Sequence, residues 1–535
     1  MPRSYAIHPG IGIARVGDSP DEYFVGPEAP GGAPVPAKPE SSGASDGSYK
    51  DARGHIKRQG ARFRIFETTT DEAGQHREVR EITAAEAQIE WTVHLANAKA
   101  AAPRFTFNAA EAVTRRNAGI PEHQLVIDAG RVRIAGRNQT FTRLAGSFQR
   151  LDVPLGDLLT DREGRLIVLG GFGSSRSVPP RPVNDFVNND GWCDDVSDGP
   201  VRATIQLHGS GDRIEAKSAW VIVAPPDFAP EIESVVTLYD VVYGIMSKSV
   251  DPSLAVTADT AVSFSRDIYP ILRRVSTLHW VSNVAASGHG PGNPMHFLSR
   301  VPELANNGAE TATLRRAIFK KLRSPSGAGG NMPKLPASVT QAGVINASVA
   351  LTEVQYERMR RWSAGTFESD WQERGAAARA VRLEDLAPQE LPAALDRAAL
   401  EACVGGGFFP GIEVGRVMLD RSTYAENSPF RINPHLPPGA LTAQMAVPWQ
   451  ADFFECALQS DPDDNPDDPA NGMDWWPAQR PVNVVRGASE GADWASEIED
   501  KGAMVDKWAR LGFVVREKGT ERFIETERGI ETGRS

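Results

Sequence analysis

The amino-acid sequence predicts an α+β protein, with a β-rich, sandwich-like N-terminal half and a helix-rich C-terminal half. In the first half, apolar and polar residues alternate over short segments that end at Gly- and Pro-rich turns. Beyond residue 230, apolar residues recur at the spacing of an α-helix instead. Near the end of the chain, ARLGFVVREKGTERFIETE alternates around a Lys-Gly turn, which predicts a terminal β-hairpin.

The predicted strands of the first half are short and are joined by long loops. The first 28 residues alternate over YAIHPGIGIARVGD and EYFVGPE, whereas 29–54 is rich in Gly, Pro, Ala and Ser and is expected to be an exposed loop. Further strands are predicted at RFRIFETTT, EVREITAAEAQIEWTVHLAN, RVRIAGRN, RLIVLGGFGSS, RATIQLHGSG and SAWVIVAPPDFAP. Strands at this spacing are typical of a β-sandwich with insertions.

The helices of the second half are separated by loops rich in Gly and Pro. Helical spacing is clear in SVVTLYDVVYGIMS, SFSRDIYPILRRVSTLHWV, TLRRAIFKKLRS, LTEVQYERMRRWS and PAALDRAALEACV. The change of pattern predicts two domains, a β-rich domain over 1–230 and a mainly helical domain over 231–535 that ends in the hairpin.

Composition excludes several classes of function. The net charge of −11 argues against a nucleic-acid partner, because proteins that bind the phosphate backbone usually carry a basic face. No apolar run approaches the roughly 20 residues of a membrane helix, and the N-terminus lacks the apolar core of a signal peptide. We therefore expect no membrane partner and synthesis in the cytoplasm, with export by another route left open. Three cysteines are too few for a disulfide framework.

Common nucleotide-binding motifs are missing from the sequence. GIGIARVG does not have the GxGxxG spacing of a dinucleotide-binding turn, and no GxxxxGK[ST] or HExxH motif occurs. The segment NNDGWCDDVSDGPV gathers Asp190, Asp194, Asp195 and Asp198, whose oxygens suit a hard cation such as calcium. A rigid turn that bonds its own backbone is the favoured interpretation, so no metal is predicted. A calcium-dependent β-sandwich binding protein remains an alternative.

Two further segments carry the cysteines of the second half. In ACVGGGFFPGIEVGR, Cys403 precedes a triple glycine and Phe408, a composition that suits either a pocket wall or a turn in the core. In PWQADFFECALQS, Pro448 can begin a helix, and Asp452 and Cys456 then share one face. A carboxylate disfavours a neighbouring thiolate by like-charge repulsion, so this pairing suits a sulfur that is covalently bonded and a carboxylate that acts as a base.

Trp475 and Trp476 follow the second segment after an acidic, Pro-rich loop. Spacing alone favours core packing for this pair of residues. The motifs together, however, resemble those of the cysteine tryptophylquinone amino-acid oxidases, the family of L-lysine 6-oxidase and glycine oxidase. The resemblance runs along the whole chain. It is carried by IHPGIGIARVGDS at 7–19, DGWCDDVSDGPV at 190–201, GGGFFPGIE at 405–413, PWQADFFEC at 448–456 and WWPAQRP at 475–481.

The resemblance implies a cofactor made from the chain itself. Cys456 matches the cysteine that is joined to a tryptophan ring oxidised to an ortho-quinone, and either Trp475 or Trp476 is its partner. Asp452 matches the acidic residue needed for maturation and catalysis. Cys403 and Phe408 are placed at the substrate pocket. Arg416 and Arg480 lie within the relevant motifs, each either as a clamp for a substrate carboxylate or equally as part of a structural ion pair.

The implied activity is the oxidation of a primary amine of an amino acid, free or within a peptide or modified substrate. Dioxygen is the co-substrate, and the products are an aldehyde or keto acid, ammonia and hydrogen peroxide. The resemblance also implies a separate flavoprotein for cofactor maturation and a homo-oligomer. A non-catalytic or accessory homologue with an unprocessed tryptophan remains the main alternative.

Overall fold

The computed structural model describes residues 2–37, 48–71, 76–105, 113–257, 259–326, 328–332, 350–372, 382–405, 414–455 and 477–529. The N-terminal half of the described chain is built from strands. In chain order these are β1 (Arg3–His8), β2 (Ile11–Arg15), β3 (Tyr23–Val25), β4 (Val35–Ala37), β5 (Arg58–Thr70), β6 (His76–Ile82), β7 (Ala87–Val93), β8 (Ala96–Asn97), β9 (Ile127–Asp128), β10 (Val132–Ala135), β11 (Thr142–Phe148), β12 (Leu151–Thr160), β13 (Leu166–Leu169), β14 (Arg176–Ser177), β15 (Trp192–Cys193), β16 (Ser197–Leu207), β17 (Ile214–Glu215) and β18 (Ala219–Ala224).

Strand β5 connects two sheets. Its first part pairs with β2, β3 and β13, and its second part pairs antiparallel with β1 and β6. The main sheet runs in the order β10-β7-β16-β18-β2-β5-β13-β12-β11. A long strand shared by two sheets is the kind of corner that lets strands fold over one core.

The centre of the main sheet is covered on both faces. β2 and β18 pair in parallel, from Ile11 opposite Trp220 to Arg15 opposite Ala224, and every residue of both strands is buried. Parallel strands need such cover. A short strand, β4, lies within the segment 29–54 that was predicted as a loop, because it pairs with the edge of β3.

The α-helices occupy the second half of the described chain. They are α1 (Leu238–Ser249), α2 (Tyr269–Thr277), α3 (Asn283–His289), α4 (Val301–Leu304), α5 (Ala312–Phe319), α6 (Glu353–Ala364), α7 (Leu391–Glu401), α8 (Gly415–Met418), α9 (Trp449–Glu455) and α10 (Lys501–Lys507). A capping box formed by Thr237 and Asp240 begins α1. A second capping box, formed by Thr352 and Gln355, begins α6.

Two β-hairpins follow α9 in the chain, β19 (Asn483–Arg486) with β20 (Ser489–Asp493) and β21 (Phe513–Arg516) with β22 (Phe523–Thr526). The second is the predicted terminal hairpin, and Gly519 in its turn has a φ of 81°, which glycine adopts without a steric penalty. The strand-rich first half and the helix-rich second half confirm the predicted α+β class.

One hydrophobic core continues from the sheet into the second half. It joins sheet residues such as Ile13 and Val221 to Trp449 and Phe453 of α9 and to Phe513 of the hairpin. The predicted domain boundary at residue 230 falls between the end of β18 and the start of α1, and it stays a prediction. Among the helices that the structure describes, none combines the length and the apolar character that crossing a membrane requires.

Candidate active site

Helix α9 carries Asp452 and leads directly into Cys456. The backbone N–H of Ala451 donates to the carbonyl of Pro448 at 3.1 Å, so the helical turn begins at the proline as the sequence predicts. Trp449, Gln450 and Asp452 have no exposed surface. A buried helical turn that includes a carboxylate and an amide side chain must be held by specific polar contacts.

A buried ion pair holds the start of α9. Asp194 Oδ2 accepts the backbone N–H of Trp449 at 3.0 Å and lies 2.7 Å from Lys99 Nζ. Both charged side chains are completely buried. Burial lowers the pKa of Lys99, although the Asp194 charge acts in the opposite direction. Asp194 belongs to the acidic motif that the sequence marks, whereas no local pattern marks Lys99.

The side chain of Gln450 fixes α9 to the loop after β13. Its Nε2 donates to the carbonyl of Gly173 at 3.0 Å, and its Oε1 accepts the hydroxyl of Ser175 at 2.6 Å. Both polar ends of the buried amide are therefore used, which defines the rotation of the helix about its axis.

Arg480 holds the end of α9. Its guanidinium donates to the carbonyl of Phe453, to the carbonyl of Phe454 at 3.4 Å and to that of Pro481 at 3.1 Å, and the side chain is 2% exposed. These contacts give Arg480 a structural role at the end of α9, while the clamp and ion-pair interpretations of this residue stay predictions.

Aromatic rings surround the helix that carries Asp452. Phe453 packs against Trp449 at 5.3 Å, Phe228 at 5.8 Å and Trp494 at 6.1 Å, measured between ring centroids. Such rings exclude water and leave a low-dielectric surrounding in which a carboxylate interacts strongly with any nearby charge.

Cys403 lies two residues beyond α7 and is 2% exposed. Arg15 approaches it, with Nη2 3.5 Å from Cys403 Sγ and Nη1 donating to the carbonyl of Pro225 at 2.9 Å. Arg15 stands in the GIGIARVG motif, but sequence reasoning did not assign it a role.

The segment 225–228 connects the surroundings of Cys403 with those of α9. Gln479, in the last motif, donates to the carbonyl of Pro226 at 3.4 Å and accepts the backbone N–H of Phe228 at 3.0 Å. Because Phe228 also packs on Phe453, the motifs around Cys403, Asp452 and Gln479 meet on one short segment. The predicted site residues Phe408, Cys456, Trp475 and Trp476 lie outside the described residues, and their roles stay predictions.

The four aspartates of the acidic motif bind protein groups. Asp190 Oδ2 lies 2.6 Å from Arg104 Nη2. Asp198 accepts the backbone N–H of Thr442 at 2.8 Å and the indole N–H of Trp220 at 2.9 Å. Over the described ranges, no group of three or more His, Cys, Asp or Glu side chains is arranged to hold a metal ion. These partners lie far away in the chain and not in the segment's own backbone, so the turn interpretation and the absence of a metal stay predictions.

Asp195 differs from its neighbours in the acidic motif. Its Oδ2 accepts the backbone N–H of Ser174 at 3.1 Å, but its buried Oδ1 has no hydrogen-bond partner in the described part of the chain. Burial, followed by the charge of Asp194, raises the pKa of Asp195 to about 7. Burial also raises the pKa of Cys193 to about 12, so this thiol is not a reactive thiolate at neutral pH.

Comparison with known proteins gives two matches to models of one family. Residues 8–223 match the model described as L-lysine epsilon oxidase N-terminal, and residues 327–476 match the L-lysine epsilon oxidase C-terminal domain. The second match ends at Trp476 and includes Asp452 and Cys456.

A curated relative is similar along almost the whole chain. L-lysine 6-oxidase of Marinomonas mediterranea is 27% identical, over 98% of this chain and 90% of that protein. Crystal structures of L-Lys epsilon-oxidase from the same organism, one of them a Schiff base intermediate with L-Lys, share the fold. Each has a TM-score of 0.75 and 23% identity, over 98% of this chain and 95% of the other.

Proposed function

The chain belongs to the L-lysine epsilon-oxidase family, and on this basis we propose that it oxidises a primary amine of an amino acid. The net reaction takes the amine, dioxygen and water to an aldehyde or keto acid, ammonia and hydrogen peroxide. The C–H bond beside the amine gives up its electron pair, which reduces dioxygen to peroxide. Water then hydrolyses the resulting C=N bond, which supplies the carbonyl oxygen and releases ammonia. L-lysine is the first substrate to test because the curated relative is an L-lysine 6-oxidase.

The observation that carries the proposal is the complete burial of Asp452 on the helix that leads into Cys456. Burying a carboxylate is costly, and a chain tends to keep one in an aromatic surrounding where it has a role. A base of this kind can take a proton from the carbon next to the substrate amine.

The proposed cofactor is cysteine tryptophylquinone, formed from Cys456 and either Trp475 or Trp476. When formed, it supplies a carbonyl that reacts with amines and a ring that takes up electrons. The described residues fit such a group, since a shielded carboxylate lies one helical turn before the cysteine and contacts at both ends fix the helix. We place Cys403 and Phe408 at the substrate pocket.

A separate flavoprotein is proposed to direct maturation, with dioxygen as the oxidant, and the mature enzyme is proposed to be a homo-oligomer. Joining the thiol to the ring removes the thiol hydrogen and one ring hydrogen. Converting two ring C–H groups to carbonyls adds two oxygens and removes two more hydrogens. The mature chain should therefore gain two oxygen atoms and lose four hydrogen atoms.

The test is the intact mass of the chain, produced with and without a candidate flavoprotein partner, followed by peptide mapping of residues 449–481. The proposal expects the mature mass on a peptide that joins Cys456 to one of the two tryptophans. Cys456→Ala should abolish it, whereas Cys403→Ala, which removes the other thiol of this half, should leave the linked mass in place.

An unmodified mass in both preparations would contradict the proposal and favour the non-catalytic homologue. With the linked mass present, peroxide and ammonia should form in equal amounts from L-lysine or another free amino acid. Linked protein that gives no peroxide with any free amino acid would direct the search to peptide-bound or modified substrates.

A further inference from the structure

Arg480 joins two segments that are far apart in the chain. It lies four residues after Trp476, and its guanidinium donates to the carbonyls of Phe453 and Phe454, which precede Cys456 by three and two residues. These contacts close a loop of 25 residues between Phe454 and Arg480. The covalent chain allows only about 3.6 Å per residue, so Arg480 limits how far Cys456 and the tryptophans can separate.

The geometry suits a guanidinium in particular. The last carbonyls of a helix have no partner within the helix, and a planar fork can serve two of them at once. The guanidinium also lies over two rings, 5.3 Å from the centroid of Trp494 and 5.9 Å from that of Phe453. The rings hold the fork in its plane, and a lysine ammonium could not reproduce both the stacking and the paired contacts.

We propose that Arg480 is a positioning residue, which holds the segment after the tandem tryptophans against the end of α9 so that Cys456 and its tryptophan partner can be joined. This inference rests on the proposed function, because it concerns assembly of the proposed cofactor. Reaction between two side chains depends steeply on their being held close and aligned, so a looser contact should slow the joining step. Once the thioether has formed, the covalent bond itself holds Cys456 and the tryptophan together, and Arg480 is no longer needed for this purpose.

A matched control is available in another part of the fold. Arg315 is 1% exposed, donates to the carbonyls of Asn306, Asn307 and Gly308 and lies 5.7 Å from the centroid of Phe367. It therefore loses the same kinds of contact on substitution by lysine. Phe367 belongs to a separate hydrophobic cluster from α9.

The experiment compares wild type, Arg480→Lys, Arg480→Gln and Arg315→Lys, each full-length and produced with the flavoprotein partner. The first readout is the fraction of the 449–481 peptide that carries the Cys–Trp link. The second is hydrogen exchange of residues 449–455 and 477–483, and the third is the melting temperature of each folded variant.

The linked fraction should fall about tenfold or more in both Arg480 variants during a fixed maturation time. Hydrogen exchange should become faster in residues 449–455 and 477–483 of both Arg480 variants. Arg315→Lys should lower the melting temperature while the linked fraction stays at the wild-type value. Longer maturation of Arg480→Lys should recover linked protein, since the reacting groups are intact.

Three outcomes would overturn the inference, and they differ. If wild type is linked and both Arg480 variants are linked to the same extent, the inference fails while the proposed function stands. An unlinked wild type overturns the proposed function and the inference with it. If only one of the two Arg480 variants folds, the linked fraction of that variant decides the test. If neither folds while Arg315→Lys does, Arg480 is a general fold residue and the inference is also wrong.

Discussion

Lys99 and Asp194 form an ion pair in which neither side chain has any exposed surface, with Lys99 Nζ 2.7 Å from Asp194 Oδ2. The same oxygen accepts the backbone N–H of Trp449 at the start of α9. A charge pair from the β-rich half thus supports the helix that carries Asp452. Removing one partner of such a pair leaves the other charge buried and uncompensated.

We expect Lys99→Met to lower the free energy of unfolding by about 3–5 kcal/mol, because Asp194 loses its counter-charge in a dry site. Urea denaturation measures this cost. Lys248 pairs with Glu353 at 2.6 Å, but the two side chains are 58% and 61% exposed, so Lys248→Met should change stability by about 0.5 kcal/mol or less. Equal costs for the two variants would contradict the argument.

A second substitution separates charge from packing at the same pair. Asp194→Asn in the Lys99→Met background removes the stranded charge but keeps an oxygen that can accept the N–H of Trp449. The double variant should therefore be more stable than Lys99→Met alone. If it is less stable, the carboxylate has a favourable role that does not depend on Lys99.

For Asp452, we expect Asp452→Asn to lower turnover by about 10²- to 10⁴-fold, because the amide cannot accept a proton. Steady-state peroxide production by linked protein measures the effect, and peptide mapping shows whether maturation fails as well. Asp396, which is 7% exposed and accepts the backbone N–H of Gly10 at 2.6 Å, gives a buried carboxylate for comparison. Asp396→Asn should lose stability rather than turnover. Normal turnover in Asp452→Asn would rule out Asp452 as the base.

The sequence predicts those parts of the site that depend on local periodicity. Pro448 and the residues after it predicted a helix on which Asp452 and Cys456 share one face, and the described part of that segment, Trp449–Glu455, is helical. Alternation around a Lys-Gly turn likewise predicted the hairpin of β21 and β22. In both cases the residues that define the structure are neighbours in the chain.

The contacts that hold the helix could not be predicted in this way. Lys99 is 95 residues from Asp194, and Asp194 is 255 residues from Trp449. Periodicity carries no information about which strand meets which helix across such distances. Arg480 was open to two interpretations for the same reason, because its carbonyl partners became neighbours only when the 25-residue loop closed.

Asp195 gives a prediction for pH. Its pKa in the folded chain is about 7, raised by burial and by Asp194, with Lys99 and Arg58 as the opposing charges. An unfolded aspartate has a pKa of about 3.9, so the folded state binds the extra proton between these values. The stability that this protonation provides is complete below about pH 4 and is lost as the pH rises through about 7.

Asp195→Asn removes the titration and keeps an oxygen for the Ser174 N–H. The variant should therefore gain stability relative to wild type by about 2 kcal/mol on going from pH 5 to pH 8. Chemical denaturation at both values measures the change. Asp251→Asn, which alters an exposed contact with Ser253, should show no such trend. A constant difference between Asp195→Asn and wild type would show that Asp195 does not titrate in this range.

Trp449, at the start of α9, differs from other buried tryptophans in its indole N–H. Trp449, Trp362 and Trp91 are each at most 1% exposed. The indole of Trp362 donates to the carbonyl of Leu304 at 2.9 Å and that of Trp91 to the carbonyl of Gly164 at 2.9 Å. Trp449 Nε1 has no hydrogen-bond partner among the residues that the structure describes. Replacement by phenylalanine leaves a similar cavity at each position. Only at Trp362 and Trp91 does it also leave a buried carbonyl without its hydrogen-bond donor. Trp449→Phe should therefore cost about 1–3 kcal/mol less than Trp362→Phe or Trp91→Phe. Urea denaturation of the three variants measures the loss in free energy of unfolding for each. If Trp449→Phe loses as much as the other two variants, the indole N–H of Trp449 has a partner in solution, such as an ordered water.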